Sequence, residues 1–200
     1  RKQKNLDTQE ERGDSSLPYV DILRPSDMCL DRVICFDVES TGFAKTDGII
    51  EIGAVEYVLG QRTGALFQSY IKPSVPVNQH ATEVHGLTNM MLANAPPAKI
   101  VIPSFLSWVG NSPLIAHNAR FDMRMLLQEA TRLGIEDVLN KKPVFCTMRS
   151  YRKLYPGRPY ALIDLYTNLL GAKRYASNSQ ICNPKLPNHS AIVDSEILGE

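Results

Sequence analysis

Apolar and polar positions in the first half of the chain follow the pattern of β-strands joined by short connections. Residues 32–38 and 49–59 are rich in β-branched and aromatic side chains, as strands at the centre of a sheet are. A polar turn at 61–64 leads into a third apolar run, 65–71, which a proline-rich stretch ends. Three successive strands with such short connections predict an antiparallel meander.

The second half of the chain changes to helical spacing and to strands that lead directly into helices. Helices are predicted at 87–93 and 98–108, and Pro103 must either lie in the first turn of the second helix or kink it. Short apolar strands are predicted at 113–116 and 144–147, each followed by a helix. The helices predicted from there on are 119–133, one that ends at residue 155, 162–170 and one that starts at about residue 190.

The order of these elements predicts the fold class. Asn118 is a plausible N-cap of the helix at 119–133, and Gly134 stands where that helix should stop. An antiparallel meander followed by alternating strands and helices predicts an α/β fold, with a mixed five-stranded sheet flanked by helices. This is the ribonuclease-H-like architecture.

Composition limits the kinds of site that the chain can carry. The 200 residues are 44% apolar, enough for one globular domain with a substantial core. Lys and Arg total 22 against 21 Asp and Glu, so any phosphate-binding surface must be local and partly built from metal ions. No CxxC pair occurs, and Cys35 and Cys146 lie in apolar runs, which predicts buried thiols in a reducing compartment and no structural zinc.

Two further patterns bear on location and order. The chain has no run of about 18 apolar residues and no apolar signal-peptide core at its start, which predicts a cytoplasmic protein with no membrane partner. Residues 1–17 are polar and charged with little to bury, which predicts a flexible arm.

The first candidate site is a pair of carboxylates at the end of the first strand. Asp37 and Glu39 should project from one face of that strand, because side chains alternate along it. Two such charges repel unless a cation joins them, and oxygen ligands without nearby Cys or His favour Mg²⁺ or Mn²⁺. Ser40, Thr41 and Gly42 follow directly, with hydroxyls and backbone that could bind a terminal nucleotide. The alternative is an ordinary solvated strand end.

The second and third candidates are an aspartate after each of two histidines. Asp122 should lie in the first turn of the helix that follows His117 and Asn118, and a simple helix-capping role is the alternative. Asp194 comes five residues after His189, so the two cannot share one helical face. We therefore expect His189 on the loop before the last helix, where a base could swing in with substrate, unless it is only a cap or surface residue. Four carboxylates and a histidine together indicate a two-metal nuclease site.

The segments 37–42, 117–122 and 189–194 match, in order and spacing, the three motifs of the DEDDh exonuclease family. Within that family the chain most resembles the proofreading subunits of bacterial DNA polymerase III. Further similarity at 50–54, 84–88 and 152–157 extends the resemblance over about residues 32–200. It implies a ribonuclease-H-like fold and a two-metal-ion enzyme that releases nucleoside 5′-monophosphates from nucleic-acid 3′ ends.

The resemblance also implies roles for single residues. Two Mg²⁺ or Mn²⁺ ions would be held by four carboxylates, and the residues that match the family's ligands are Asp37, Glu39, Asp122 and Asp194. His189 matches the general base. The residues implied near the terminal nucleotide are Ser40, Thr41, Gly42, His85, Asn118 and Phe121. The expected domain is 31–200, and 1–30 is an N-terminal extension that is partly flexible.

The sequence leaves the substrate and partner open. A single-stranded or frayed DNA 3′ end is the expected substrate, with a DNA polymerase subunit as partner. An RNA-trimming or short-oligonucleotide-degrading enzyme is the alternative within the same chemistry. A non-catalytic nucleic-acid-binding domain is a third hypothesis, but it predicts lost ligands, and all four carboxylates and the histidine are present.

Overall fold

A single mixed sheet, flanked by helices, is the framework of the protein in a computed structural model that describes residues 20–21, 31–171 and 190–199. The strands are β1 Val20–Asp21, β2 Arg32–Ser40, β3 Ile49–Val58, β4 Gln61–Tyr70, β5 Leu114–Ala116 and β6 Pro143–Cys146. The α-helices of the described residues are α1 Gln79–His85, α2 Ala98–Val109, α3 Ala119–Arg132, α4 Thr147–Leu154, α5 Leu162–Leu170 and α6 Ala191–Gly199. A short 3-10 helix, Glu136–Leu139, follows α3.

The sheet confirms the predicted topology. Its strand order is β1-β6-β5-β2-β3-β4, with β2, β3 and β4 forming the antiparallel meander. β5 pairs parallel with both β2 and β6, which makes the sheet mixed. The five predicted strands are therefore present, and β1 adds a two-residue sixth strand, parallel to β6, at the edge. The rest of 1–30, including the predicted flexible arm, lies outside the described residues.

Alternation along β2 decides which side chains meet which helices. Ile34, Phe36 and Val38 are buried in the main core, which α2 and α3 complete. Val33 and Cys35 face the other way and pack with side chains of α6. Asp37 and Glu39 continue this second set, so the prediction that both carboxylates share one face of the strand is confirmed.

The turn between β3 and β4 lies two residues before its predicted place. Leu59 and Gly60 form it, with φ angles of 51° and 76°, and β4 begins at Gln61. Two consecutive positive φ angles are the geometry of a two-residue hairpin turn whose twist matches the strands. The prediction at 61–64 was wrong because those polar residues belong to an exposed edge strand.

The helix predicted at 87–93 is wrong: in the structure those residues form turns, and a helix precedes them at Gln79–His85. The Asn78 side chain caps this helix by accepting a hydrogen bond from the Ala81 amide, and Gly86 ends it in the left-handed conformation. Leu87 and Leu92 are buried, but Met90 and Met91, which lie between them in the sequence, are exposed.

The remaining helices lie close to their predicted positions. α2 begins at Ala98 as predicted, and Pro103 lies inside it rather than in its first turn. α3 begins at Ala119 and ends one residue before the predicted end, with Gly134 following in the left-handed region. Within the described residues, no helix combines the length and apolar character needed to cross a membrane. The cytoplasmic location stays a prediction.

Candidate active site

Three neighbouring strands, β2, β5 and β6, end at the same level of the sheet. Cys35 of β2 pairs with Ile115 of β5, so Asp37, two residues further along, is level with His117. The last pair of β5 and β6 is Ala116 with Cys146, which brings the start of α4 to the same level. The first two sequence motifs therefore meet where β2 and β5 end.

The third motif arrives on α6, which lies directly on β3. Gly53 pairs with Asp37 across the sheet, and a Cβ at Gly53 would collide with the backbone of Ala191 and Ile192. Only glycine lets the helix approach this closely. The first residues of α6 therefore lie over the strand next to Asp37.

Glu51, also on β3, fixes the start of that helix. One carboxylate oxygen of this buried side chain accepts from the Ser190 hydroxyl at 3.2 Å, and the other accepts from the Ala191 amide at 3.3 Å. The Asp194 amide in turn donates to the Ser190 carbonyl at 2.9 Å. Glu51 thus anchors the turn that carries Asp194, a role that its place in the sequence did not reveal.

These contacts bring three of the four predicted metal ligands together. Asp37, Glu39 and Asp194 each offer a carboxylate oxygen, and the three oxygens lie within 4.8 Å of one another. All three residues are half-buried. The donor set consists of carboxylates alone, which suits hard divalent cations.

The fourth predicted ligand, Asp122, comes from α3 on the opposite side of β2. Its Oδ1 accepts from the Val38 amide at 3.2 Å, and its side chain is almost completely buried. Its Oδ2 is also buried and has no hydrogen-bond partner among the described residues. A buried carboxylate oxygen left in this state is costly, so the arrangement fits a group that accepts a cation. Asp122 lies in the first turn of α3, as predicted.

The electrostatics of the site agree with its geometry. Burial raises the pKa of Asp37 well above its ordinary value, and the carboxylates of Asp122, Asp194 and Glu39 raise it further. Burial likewise raises the pKa of Asp122, to which the charges of Glu39 and Asp194 add. The pKa of Glu51 is also raised, mainly by burial, although its hydrogen bonds oppose this shift. The site therefore concentrates negative charge where water is partly excluded.

The loop after β2 uses its hydroxyls internally. The Ser40 hydroxyl donates to the Gly42 carbonyl at 2.8 Å, and the buried Thr41 hydroxyl donates to Asp47 at 2.8 Å while accepting from the Gly48 amide. Nucleotide contacts by Ser40, Thr41 and Gly42 stay predictions. In the structure, the hydroxyls of Ser40 and Thr41 stabilise the conformation of this loop.

His85 lies beneath this loop, at the end of α1. It is 2% exposed, and its Nδ1 accepts from the Leu87 amide at 3.0 Å, so Nε2 carries the proton and donates to the Ser40 carbonyl at 3.3 Å. His85 therefore supports the loop from within, and a direct contact with a nucleotide stays a prediction.

Asn118 and Phe121 lie on the other side of the site, at the start of α3. Asn118 occupies the N-cap position of α3, as predicted, but it is exposed and left-handed, with φ 55° and ψ 45°, and its side chain makes no capping hydrogen bond. Asparagine tolerates this conformation better than most residues. Phe121 contacts Phe43, with ring centroids 5.5 Å apart, and Phe43 is 66% exposed. Sequence reasoning missed Phe43, although it directly follows the first motif.

His189 lies outside the described residues, so its role as general base stays a prediction. α6 begins at Ala191, two positions later. His117, by contrast, is described: its Nε2 donates to the Tyr160 carbonyl at 2.8 Å and its Nδ1 contacts the Thr147 hydroxyl at 3.0 Å. Burial lowers the pKa of His117. Cys35 and Cys146 are buried free thiols, as predicted, and burial raises the pKa of Cys35 to about 12.

Comparison with known structures places this geometry among exonucleases. Exonuclease X, solved in complex with 5′ overhanging duplex DNA, superimposes with a TM-score of 0.59 at 30% identity, covering 84% of this chain and 86% of that one. A product-bound exonuclease I has a TM-score of 0.67 at 14% identity, covering 84% of this chain and 42% of that one. The second likeness shows the ribonuclease-H-like fold alone.

Sequence comparison identifies the family. The DNA polymerase III epsilon subunit of Buchnera aphidicola subsp. Acyrthosiphon pisum (strain APS) is 38% identical over 182 residues, covering 84% of this chain and 70% of that relative. The epsilon subunit of Haemophilus influenzae is 37% identical over 180 residues, covering 84% of this chain and 65% of that relative. A family model described as Exonuclease matches residues 34–200. The chain therefore belongs to the DEDD exonuclease family, enzymes that use divalent metal ions to hydrolyse phosphodiester bonds from the 3′ end.

Proposed function

We propose that this exonuclease removes nucleoside 5′-monophosphates from the 3′ ends of DNA, with two Mg²⁺ or Mn²⁺ ions held by Asp37, Glu39, Asp122 and Asp194. The observation that carries the proposal is the group of three carboxylate oxygens within 4.8 Å, together with the buried Oδ2 of Asp122, which has no hydrogen-bond partner in the described part of the chain. When bound, the two cations would supply the positive charge that stabilises the attacking and leaving oxygens of the phosphodiester.

The protein's own groups divide the remaining work. β2 and α6 hold Asp37, Glu39 and Asp194 in place, so little rearrangement is needed when the substrate arrives. His189 accepts the proton of the attacking water, the role implied by its position in the third motif. Phe43 and Phe121 offer exposed and half-exposed ring faces beside the site, and a terminal base can stack on such a surface whatever its identity.

DNA is proposed over RNA because of the relatives. Two of the most similar curated proteins are subunits of DNA polymerase III, and the structural neighbour at 30% identity was solved with DNA. By the same reasoning we propose a DNA polymerase subunit as partner, in a proofreading or repair process. RNA trimming is the competing outcome of the substrate test below.

The first prediction concerns stability without metal. Asp122→Asn should raise the free energy of unfolding in EDTA at neutral pH by about 2 kcal/mol, because it removes a buried charge and keeps the acceptor for the Val38 amide. The pKa values of Asp37 and Asp122 are higher in the folded state, so the folded protein binds more protons than the unfolded chain. The metal-free parent should therefore gain stability as pH falls toward the ordinary value of 3.8. Urea unfolding at several pH values measures both effects.

The matched control for this prediction is Glu83→Gln, which neutralises an exposed carboxylate on α1 and should leave the unfolding free energy nearly unchanged. If Asp122→Asn destabilises the metal-free protein at neutral pH, the burial of charge at this site has been misjudged.

The second prediction concerns catalysis and substrate. Asp37→Asn and Asp194→Asn should each reduce the rate by roughly 10³-fold or more, because each removes a negative ligand without changing the size of the side chain. The assay follows 5′-labelled single-stranded DNA and RNA of the same sequence in Mg²⁺, and EDTA should stop the reaction. Asp137→Asn, in the 3-10 helix, is the control and should cleave like the parent.

Two results would contradict the proposal. Retained cleavage by either site variant removes the metal-ligand assignment. Faster turnover of the RNA than of the DNA replaces the proposed substrate by the RNA-trimming alternative.

The third prediction concerns His189. His189→Ala should lose roughly 10²–10⁴-fold in rate at saturating Mg²⁺ and still bind DNA, because a positioned base typically contributes this much. The parent rate should rise toward mildly alkaline pH, because a histidine accepts a proton as general base only in its neutral form. The test is to measure the rates of the parent and the variant from about pH 6 to about pH 9, a range that includes the reference pKa of histidine. Equal rates over the range would make His189 a bystander.

A further inference from the structure

One segment next to the active site is strongly basic. Between residues 143 and 163 the chain contains four Arg and Lys residues and no Asp or Glu, although its overall net charge is only +1. The four are Arg149, Arg152, Lys153 and Arg158. We call residues 147–160, which contain all four cations, the basic segment. Such a local concentration is what a nearly neutral chain needs to attract a polyanion.

Three of the four cations share one face of α4. Arg149, Arg152 and Lys153 are spaced i, i+3 and i+4, which places them on the same side of a helix. Tyr151 points elsewhere and is buried. Arg149 and Lys153 are exposed, as is Arg158 in the loop that follows. The helix therefore turns a row of positive charge toward solvent.

The basic segment is fastened to the active site at both ends. Its first residue, Thr147, contacts His117 Nδ1, and the carbonyl of its last, Tyr160, accepts from His117 Nε2. The Arg152 guanidinium lies over the Tyr160 ring, 4.8 Å from its centroid, which links helix and loop. His117 is level with Asp37 in the strand register. Because Thr147 lies two strands from Asp37, the segment starts about 10 Å from the backbone of Asp37.

We propose that the basic segment binds the phosphates of the single strand that precedes the 3′-terminal nucleotide. The inference rests on the proposed function, since it concerns the rest of the same substrate. α4 has eight residues and is therefore about 12 Å long, enough to follow more than one phosphate. Proteins that hold single strands without reading sequence combine such a positive track with aromatic rings on which bases stack. Here the track is the basic segment, and Phe43 with Phe121 provides the rings at the 3′ end.

The test compares a long substrate with one that has no upstream phosphates. The double variant Arg149→Gln/Lys153→Gln removes two exposed cations and leaves the Arg152–Tyr160 contact in place. The substrates are a single-stranded thymidine 12-mer and the p-nitrophenyl ester of thymidine 5′-monophosphate. The control, Lys72→Gln/Lys99→Gln, removes two exposed lysines after β4 and on α2, away from the β6 side of the sheet.

We expect the ratio of kcat/KM for the 12-mer to kcat/KM for the ester to fall about tenfold in the double variant and to be unchanged in the control. The slope of log kcat/KM against log salt for the 12-mer should become shallower by about 1.4, since each lost contact with single-stranded phosphate removes about 0.7. If this ratio stays the same, whether both kcat/KM values are unchanged or both fall equally, the inference is overturned while the exonuclease assignment stands.

Failure of the proposed function gives a different result. If the parent cleaves neither substrate, binding of the fluorescein-labelled 12-mer in EDTA, followed by anisotropy, still tests the basic segment. Roughly tenfold weaker binding by the double variant than by the control would support the inference, and equal binding would overturn it.

Discussion

Repulsion among carboxylates at the end of β2 is the constraint around which the rest of this structure is organised. Three carboxylate oxygens from two distant parts of the chain lie within 4.8 Å of one another. The buried carboxylate of Asp122 adds to the repulsion and helps to raise the pKa of Asp37. Such a cluster does not form unless the surrounding structure holds its members in place. The repulsion therefore opposes folding, and a bound cation would offset it.

The contacts that oppose the repulsion come from both sides of the sheet. On one side, Glu51 binds the first turn of α6, and Gly53 lets that helix lie on β3, which brings Asp194 over Asp37. On the other side, the Val38 amide holds Asp122 at the start of α3. The same edge of the sheet fixes α4 through His117, so the acidic centre and the basic segment share one support.

Local signals were enough to predict the sheet and the placement of Asp37, Glu39 and Asp122. Alternation along β2 placed Asp37 and Glu39 on one face, and the start of α3 placed Asp122 in a first turn, because both follow from the period of a single element. The distance between those carboxylates and Asp194 could not be derived from spacing, since it depends on a helix that lies on β3. The resemblance to a family supplied that link.

What the sequence could not show depends on contacts between distant residues. The burial of His85 beneath Ser40 and the anchoring role of Glu51 each need a partner many residues away. α1 was missed because its cap, Asn78, lies next to a proline-rich stretch that was interpreted only as the end of the third strand. Phe43 was missed although it directly follows the first motif, because its contact with Phe121 joins distant parts of the chain.

We infer that this fold brings acidic side chains together to hold cations. Isothermal titration calorimetry of the metal-free protein with Mn²⁺ tests it most directly, without substrate and without turnover. We expect the parent to bind two Mn²⁺ ions per chain and the Asp37→Asn variant to lose binding. A parent that takes up no Mn²⁺, or an Asp37→Asn variant with the same isotherm as the parent, would contradict it.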